Sequence, residues 1–107
     1  MLPLIVQIER IDRGKATTLA FTKSPVRMGR NPLNDLVVND SYISQWHAVV
    51  RFDERGTYYV DLGATNPTLI SGQPVARHAE IAVDESIDVR VGQLRFHFLR
   101  AAAPQEL

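Results

Sequence analysis

Ile87-Asp88-Val89-Arg90-Val91-Gly92-Gln93-Leu94-Arg95-Phe96-His97-Phe98 alternates apolar and polar side chains on both sides of a Gly-Gln pair. Alternation with a period of two marks a half-buried strand, and a short connection containing Gly joins two such strands as a hairpin. The same reading repeats toward the N-terminus. Residues 46–52 and Thr57-Tyr58-Tyr59-Val60-Asp61 flank the turn Asp53-Glu54-Arg55-Gly56 and predict a second hairpin. Shorter strands are predicted over 4–8, 16–21, 26–29, 36–38 and 68–70, with Gly14 and Ser71-Gly72 as turns and 30–35, 39–44 and 62–67 as loops. No stretch carries helical periodicity and no segment repeats. Many short strands punctuated by turns read as an all-β sandwich or barrel.

The chain has 107 residues, which suits one domain able to bury roughly two-thirds of its unfolded surface. That domain is expected over 1–100, with the small, Pro-containing 101–107 as a tail or linker. Twelve basic and twelve acidic residues give a net charge of zero, which argues against a protein built to hold nucleic acid or an acidic membrane surface. The apolar run near the N-terminus reaches Glu9 and Arg10 too soon for a signal peptide or a membrane span. Cysteine is absent, so disulfides and thiolate chemistry are excluded, and the chain is expected in the cytoplasm.

Three segments carry candidate chemistry. Arg30 follows Gly29 at the end of a short strand. It reads either as a solvated turn residue or as a planar grip on phosphate, with Gly29 allowing an unusual backbone conformation or a close approach. Ser44 and His47 stand three apart ahead of a strand, and Asp61 can be imagined as a third member of a hydrolytic triad. No nucleophile-elbow glycines surround Ser44, so His47 reads as a structural histidine and no catalytic residue is expected. Asp61-Leu62-Gly63-Ala64-Thr65-Asn66-Pro67-Thr68 offers hydroxyl and amide groups either to a ligand backbone or to the loop itself. His47, His78 and His97 have no metal-ligand spacing, and neither a metal nor another cofactor is expected.

In order and spacing, Gly29-Arg30, Ser44-x-x-His47 and 61–72 together resemble the forkhead-associated (FHA) domain, and the closing hairpin at Gly92 fits as well. The resemblance covers residues 4–99. It implies a β-sandwich of about eleven mostly antiparallel strands whose loops at one end bind phosphothreonine in a partner protein. By that resemblance Arg30, Ser44 and Thr65 hold the phosphothreonine, while Gln45, Asn66 and Tyr42 contact the peptide. Gly29 and His47 are scaffold. The implied partner is a threonine-phosphorylated protein or its kinase, and the domain is expected within a larger protein or complex. Neither Tyr42 nor Ile43 is basic, which points to an apolar rather than an acidic ligand residue three places after the phosphothreonine. Pro67 stands where the family usually has Gly, and Ala64 where it has Ser. Proline fixes its own φ and biases Asn66 toward extended backbone, which leaves room for a sandwich that binds an unphosphorylated partner or itself.

Overall fold

The structure, a computed structural model, describes residues 1–101. Its strands are β1 (Leu4–Arg10), β2 (Lys15–Phe21), β3 (Val26–Gly29), β4 (Leu36–Val37), β5 (Ala48–Asp53), β6 (Gly56–Asp61), β7 (Leu69–Ile70), β8 (Gln73–Pro74), β9 (Glu80–Val83), β10 (Val89–Val91) and β11 (Leu94–Arg100). They form a six-stranded sheet, β2-β1-β11-β10-β7-β8, and a five-stranded sheet, β4-β3-β5-β6-β9. Every pairing is antiparallel except β3 with β4. This is the all-β sandwich expected from the alternation.

Strands β5, β6, β10 and β11 send alternate residues into the space between the sheets. Val89, Val91, Leu94, Phe96 and Phe98 of the closing hairpin are all buried, as are Ala48, Val50 and Phe52 of β5. Phe98 meets Phe96 on its own strand and Tyr59 across the sandwich, with ring centroids 6.3 and 6.1 Å apart. Burying side chains of this size contributes roughly 1.5–3 kcal/mol each.

The structure differs from the sequence reading at three places. Trp46 and His47 lie in the turn before β5 and not in the strand. Ile43, considered as ligand surface, is core, with 1% of its surface exposed. Finally, β8 and β9 went unread. The first is two residues long and contains Pro74, and both run along sheet edges where burial imposes little pattern. The domain's last strand ends at Arg100, and the expected tail beyond Ala101 lies outside the described residues.

Candidate functional site

Three loops converge at one end of the sandwich, those following β3, preceding β5 and following β6. Hydrogen bonds running on from the β3–β5 pairing zip the first two together. His47 N–H donates to Met28 C=O (2.9 Å), Arg30 N–H to Ser44 C=O (2.9 Å), and Asn31 N–H to Gln45 C=O (3.2 Å). Gly29 sits where this zipper is tightest. A Cβ there would collide with the Gln45 carbonyl and come within 2.7 Å of the Asn34 amide nitrogen. Close approach, and not a positive φ, is therefore what the glycine supplies. The same Gln45 carbonyl accepts from Asn34 Nδ2 at 2.8 Å, and that amide also donates to Asn31 C=O.

The third loop is tied in by side chains. Asp61 Oδ1 accepts from the N–H groups of Gly63 (2.7 Å) and Ala64 (2.9 Å), folding the chain back after β6. Gly63 takes a φ of +88°, which only glycine adopts without strain. Thr65 N–H then donates to Ser44 Oγ at 3.0 Å, and Asn66 Nδ2 donates to Tyr42 C=O at 3.0 Å. Asn66 therefore reaches across to the loop before β5 despite Pro67.

His47 is fully buried beneath this junction. Its Nδ1 accepts from Ser44 N–H, and its Nε2 faces Thr68 Oγ1, each at 3.2 Å. Thr68 in turn shares a 2.6 Å hydrogen bond with Tyr59. Burial lowers the imidazole pKa below its ordinary 6.5, with the negative charge of Asp61 opposing that shift, and burial raises the Tyr59 phenol well above its usual range. The sequence reading missed Asn34, Tyr59 and Thr68 as supports. Thr68 closed the loop motif, but nothing in its spacing indicated a buried partner.

Arg30, Tyr42, Ser44, Gln45, Thr65 and Asn66 surround an open depression of about 270 Å³. Arg30 is exposed and its Nε donates to Ile43 C=O at 3.1 Å. It has no carboxylate partner among the described residues, whereas Arg10, Arg27, Arg51 and Arg95 are all ion-paired. Ser44 Oγ is an acceptor for Thr65 N–H, so its own proton remains available. Tyr42 is 53% exposed and its ring rests on Gly92, where a Cβ would lie 3.1 Å from the ring.

Residues 10–102 match the family described as "Inner membrane component of T3SS, cytoplasmic domain". The solved FHA domain of an Arabidopsis thaliana hypothetical protein superposes with a TM-score of 0.79 at 18% identity, over 99% of this chain and 92% of that one. The chain belongs to that cytoplasmic-domain family, and its fold is that of a forkhead-associated domain. The FHA domain is also 31% identical over 75 residues to the oxoglutarate dehydrogenase inhibitor of Corynebacterium glutamicum. That match covers 70% of this chain and 50% of the relative, so the chain spans about half of the relative's length. The structure of Mycobacterium tuberculosis EmbR with a low-affinity phosphopeptide superposes with a TM-score of 0.72 at 20% identity, over 95% of this chain and 26% of that one.

The Corynebacterium glutamicum relative is described as an inhibitor and the Arabidopsis neighbour as an FHA domain, neither of them as a catalyst. The geometry agrees, because both ring nitrogens of His47 are engaged elsewhere and neither is directed to the Ser44 hydroxyl. No helix among the described residues is long and apolar enough to cross a membrane. No group of three or more metal-ligating side chains occurs among those residues.

Proposed function

We propose that this FHA domain binds a phosphothreonine-containing segment of a partner protein and performs no chemistry on it. The observation that carries the reading is Arg30. It is an exposed guanidinium tethered through Nε alone, with both Nη groups directed to no partner among the described residues. Phosphothreonine carries about −1.5 to −2 charges and three strong acceptor oxygens, which a planar guanidinium matches bidentately. Ser44 Oγ donates a second bond to the phosphate. Thr65 lines the position of the threonine methyl. Asn66 holds the peptide backbone with the N–H and carbonyl that Tyr42 does not use. Gln45 and the exposed Tyr42 ring contact flanking residues, and Tyr42 favours an apolar residue three places after the phosphothreonine. Support also comes from the EmbR complex, whose ligand is a phosphopeptide.

The partner is a threonine-phosphorylated protein or its kinase, met in the cytoplasm, and the domain over 1–100 acts as part of a larger protein. The cytoplasmic-domain family match supports this placement. Burying one methyl is worth about 0.8 kcal/mol, so preference over phosphoserine from burial alone is only several-fold.

Fluorescence polarisation with a phosphothreonine peptide library tests the reading, with phosphoserine and unphosphorylated peptides alongside and Arg30→Ala as control. Phosphothreonine-selective binding that disappears in Arg30→Ala is expected. Equal binding of phosphorylated and unphosphorylated peptides would overturn it in favour of a sandwich that recognises an unmodified partner.

A further inference from the structure

Strand β2 ends the six-stranded sheet, pairing with β1 on one side only. It is seven residues long, and the first six are all exposed. The other sheet edges are far shorter, with two residues in β4, two in β8 and four in β9. Proteins normally blunt an open edge with charge, proline, a bulge or extreme shortness. Pro74 and Glu80 do so on β8 and β9. Strand β2 reads Lys-Ala-Thr-Thr-Leu-Ala-Phe, with its one charge at the first residue and no proline.

The space beneath this edge is also open. In the β1–β2 register Leu19 stands opposite Val6 and Thr17 opposite Ile8, so both residues face the interior of the sandwich. The opposing sheet stops at β4 and does not cover them. A groove of about 290 Å³ remains between the two sheet edges, floored by Ile8, Leu19, Val37, Val38 and Leu94. Leu19 and Val37 keep 37% and 47% of their surfaces exposed.

We propose that β2 is the surface through which two copies of this chain associate, edge to edge and antiparallel, with Thr18 facing its counterpart across a two-fold axis. The strand is complementary to itself in that register. Ala16 meets Ala20, Thr17 meets Leu19, and Thr18 meets Thr18. Residues directly opposite then point to the same face, as an antiparallel ladder requires, and a cross-strand Thr–Thr pair is a favourable one. The two Leu19 side chains become diagonal neighbours and cover each other over the groove. Lys15 lies opposite Phe21, so no like charges are juxtaposed within the strand. A net charge of zero removes the general repulsion that keeps many proteins monomeric. The Lys15 end of β2 leads into the turn whose Ile11 N–H bonds Gln93 C=O, beside the Gly92–Tyr42 contact. Antiparallel pairing therefore sends the two loop clusters to opposite ends of the dimer and obstructs neither.

Sedimentation velocity of the full chain from micromolar to millimolar concentration tests the association, with Leu19→Lys as the interface variant. A mass that doubles with concentration and stays monomeric in Leu19→Lys is expected. Thiol cross-linking tests the register, because the chain has no cysteine of its own. Thr18→Cys should give a covalent dimer with a short bifunctional reagent. Ala20→Cys, on the same face, should not, since its counterpart lies about 13 Å away along the strand. A monomer throughout, a dimer that survives Leu19→Lys, or equal cross-linking of the two cysteines would each overturn the proposal.

Discussion

His47 stands between the loop that presents Ser44 and the buried Thr68–Tyr59 pair, with Nδ1 accepting from Ser44 N–H and Nε2 facing Thr68 Oγ1, both at 3.2 Å. An accepting Nδ1 places the single ring proton on Nε2, so the fold is built around a neutral imidazole. Protonation would set a donor against the Ser44 donor. Burial acts in the same direction and holds the pKa below 6.5. The unfolded chain then binds more protons than the native one between the lowered native pKa and the unfolded value near 6.5, so stability is lost on acidification through that window. The slope is at most about 1.4 kcal/mol per pH unit for one proton. Denaturant titrations without ligand should show a lower midpoint at pH 5.5 than at 7.5. In His47→Asn that dependence should flatten on a less stable background.

Gly29→Ala should be among the most damaging single-methyl changes in the chain. The added Cβ meets the Gln45 backbone carbonyl, which cannot swing away as a side-chain end can. Overpacking of this kind costs about 1–3 kcal/mol. The carbonyl also organises Asn31 and Asn34, so displacement moves Arg30 and Ser44 relative to each other. Thermal denaturation should report the loss, and phosphopeptide affinity should fall further than stability alone explains. Gly14→Ala is the control, because nothing lies within 4 Å of a Cβ there and only its φ of +65° is strained.

The sandwich was legible because both faces of the closing hairpin obey strict alternation, and Val89 to Phe98 bury the residues that the pattern selects. Burial imposes that pattern, so legibility fails where burial does. Strand β9, with a single buried residue, carries no alternation to read. His47 was misread as strand because Trp46 and His47 are compatible with β structure locally, while hydrogen bonds to Met28 and Leu62 hold the turn from a distance. Within the site, the ordered motifs identified the loops. The reason for Gly29 and the support of Tyr42 by Gly92 depend on contacts between segments far apart in sequence, which spacing cannot encode.

Arg30→Lys separates geometry from charge. Lysine keeps the positive charge but loses the planar fork and the Nε tether to Ile43 C=O. A charge-assisted hydrogen bond contributes about 1.5–3 kcal/mol, so one lost contact weakens phosphopeptide binding by about tenfold or more. Calorimetric titration should show that loss. The thermal midpoint should stay close to wild type, because Arg30 is exposed and makes no ion pair among the described residues.

Pro67→Gly tests what the unusual loop residue does. Pro67 is exposed, so the substitution opens no cavity and acts mainly by freeing the unfolded chain, at about 0.4–1 kcal/mol. It also frees Asn66, whose amide is held on Tyr42 C=O. Stability should fall within that range and phosphopeptide affinity should not rise. A gain in affinity would show instead that Pro67 holds Asn66 away from its ligand.

Binding should weaken as pH falls from 7.5 to 5.5, and again as salt is raised. The ligand phosphate loses its second charge near pH 6, and screening acts on an exposed contact such as Arg30. Protonation of His47, which burial opposes, would weaken the scaffold in the same direction, so the two effects must be separated. Salt separates them, because the buried imidazole is little screened while the Arg30–phosphate contact is exposed. Isothermal titration at two ionic strengths and several pH values should give steep salt dependence at pH 7.5 that becomes shallower at pH 5.5. Salt dependence equal at both pH values would mean that the acid loss comes from the His47 scaffold alone, and that the ligand does not enter as a dianion.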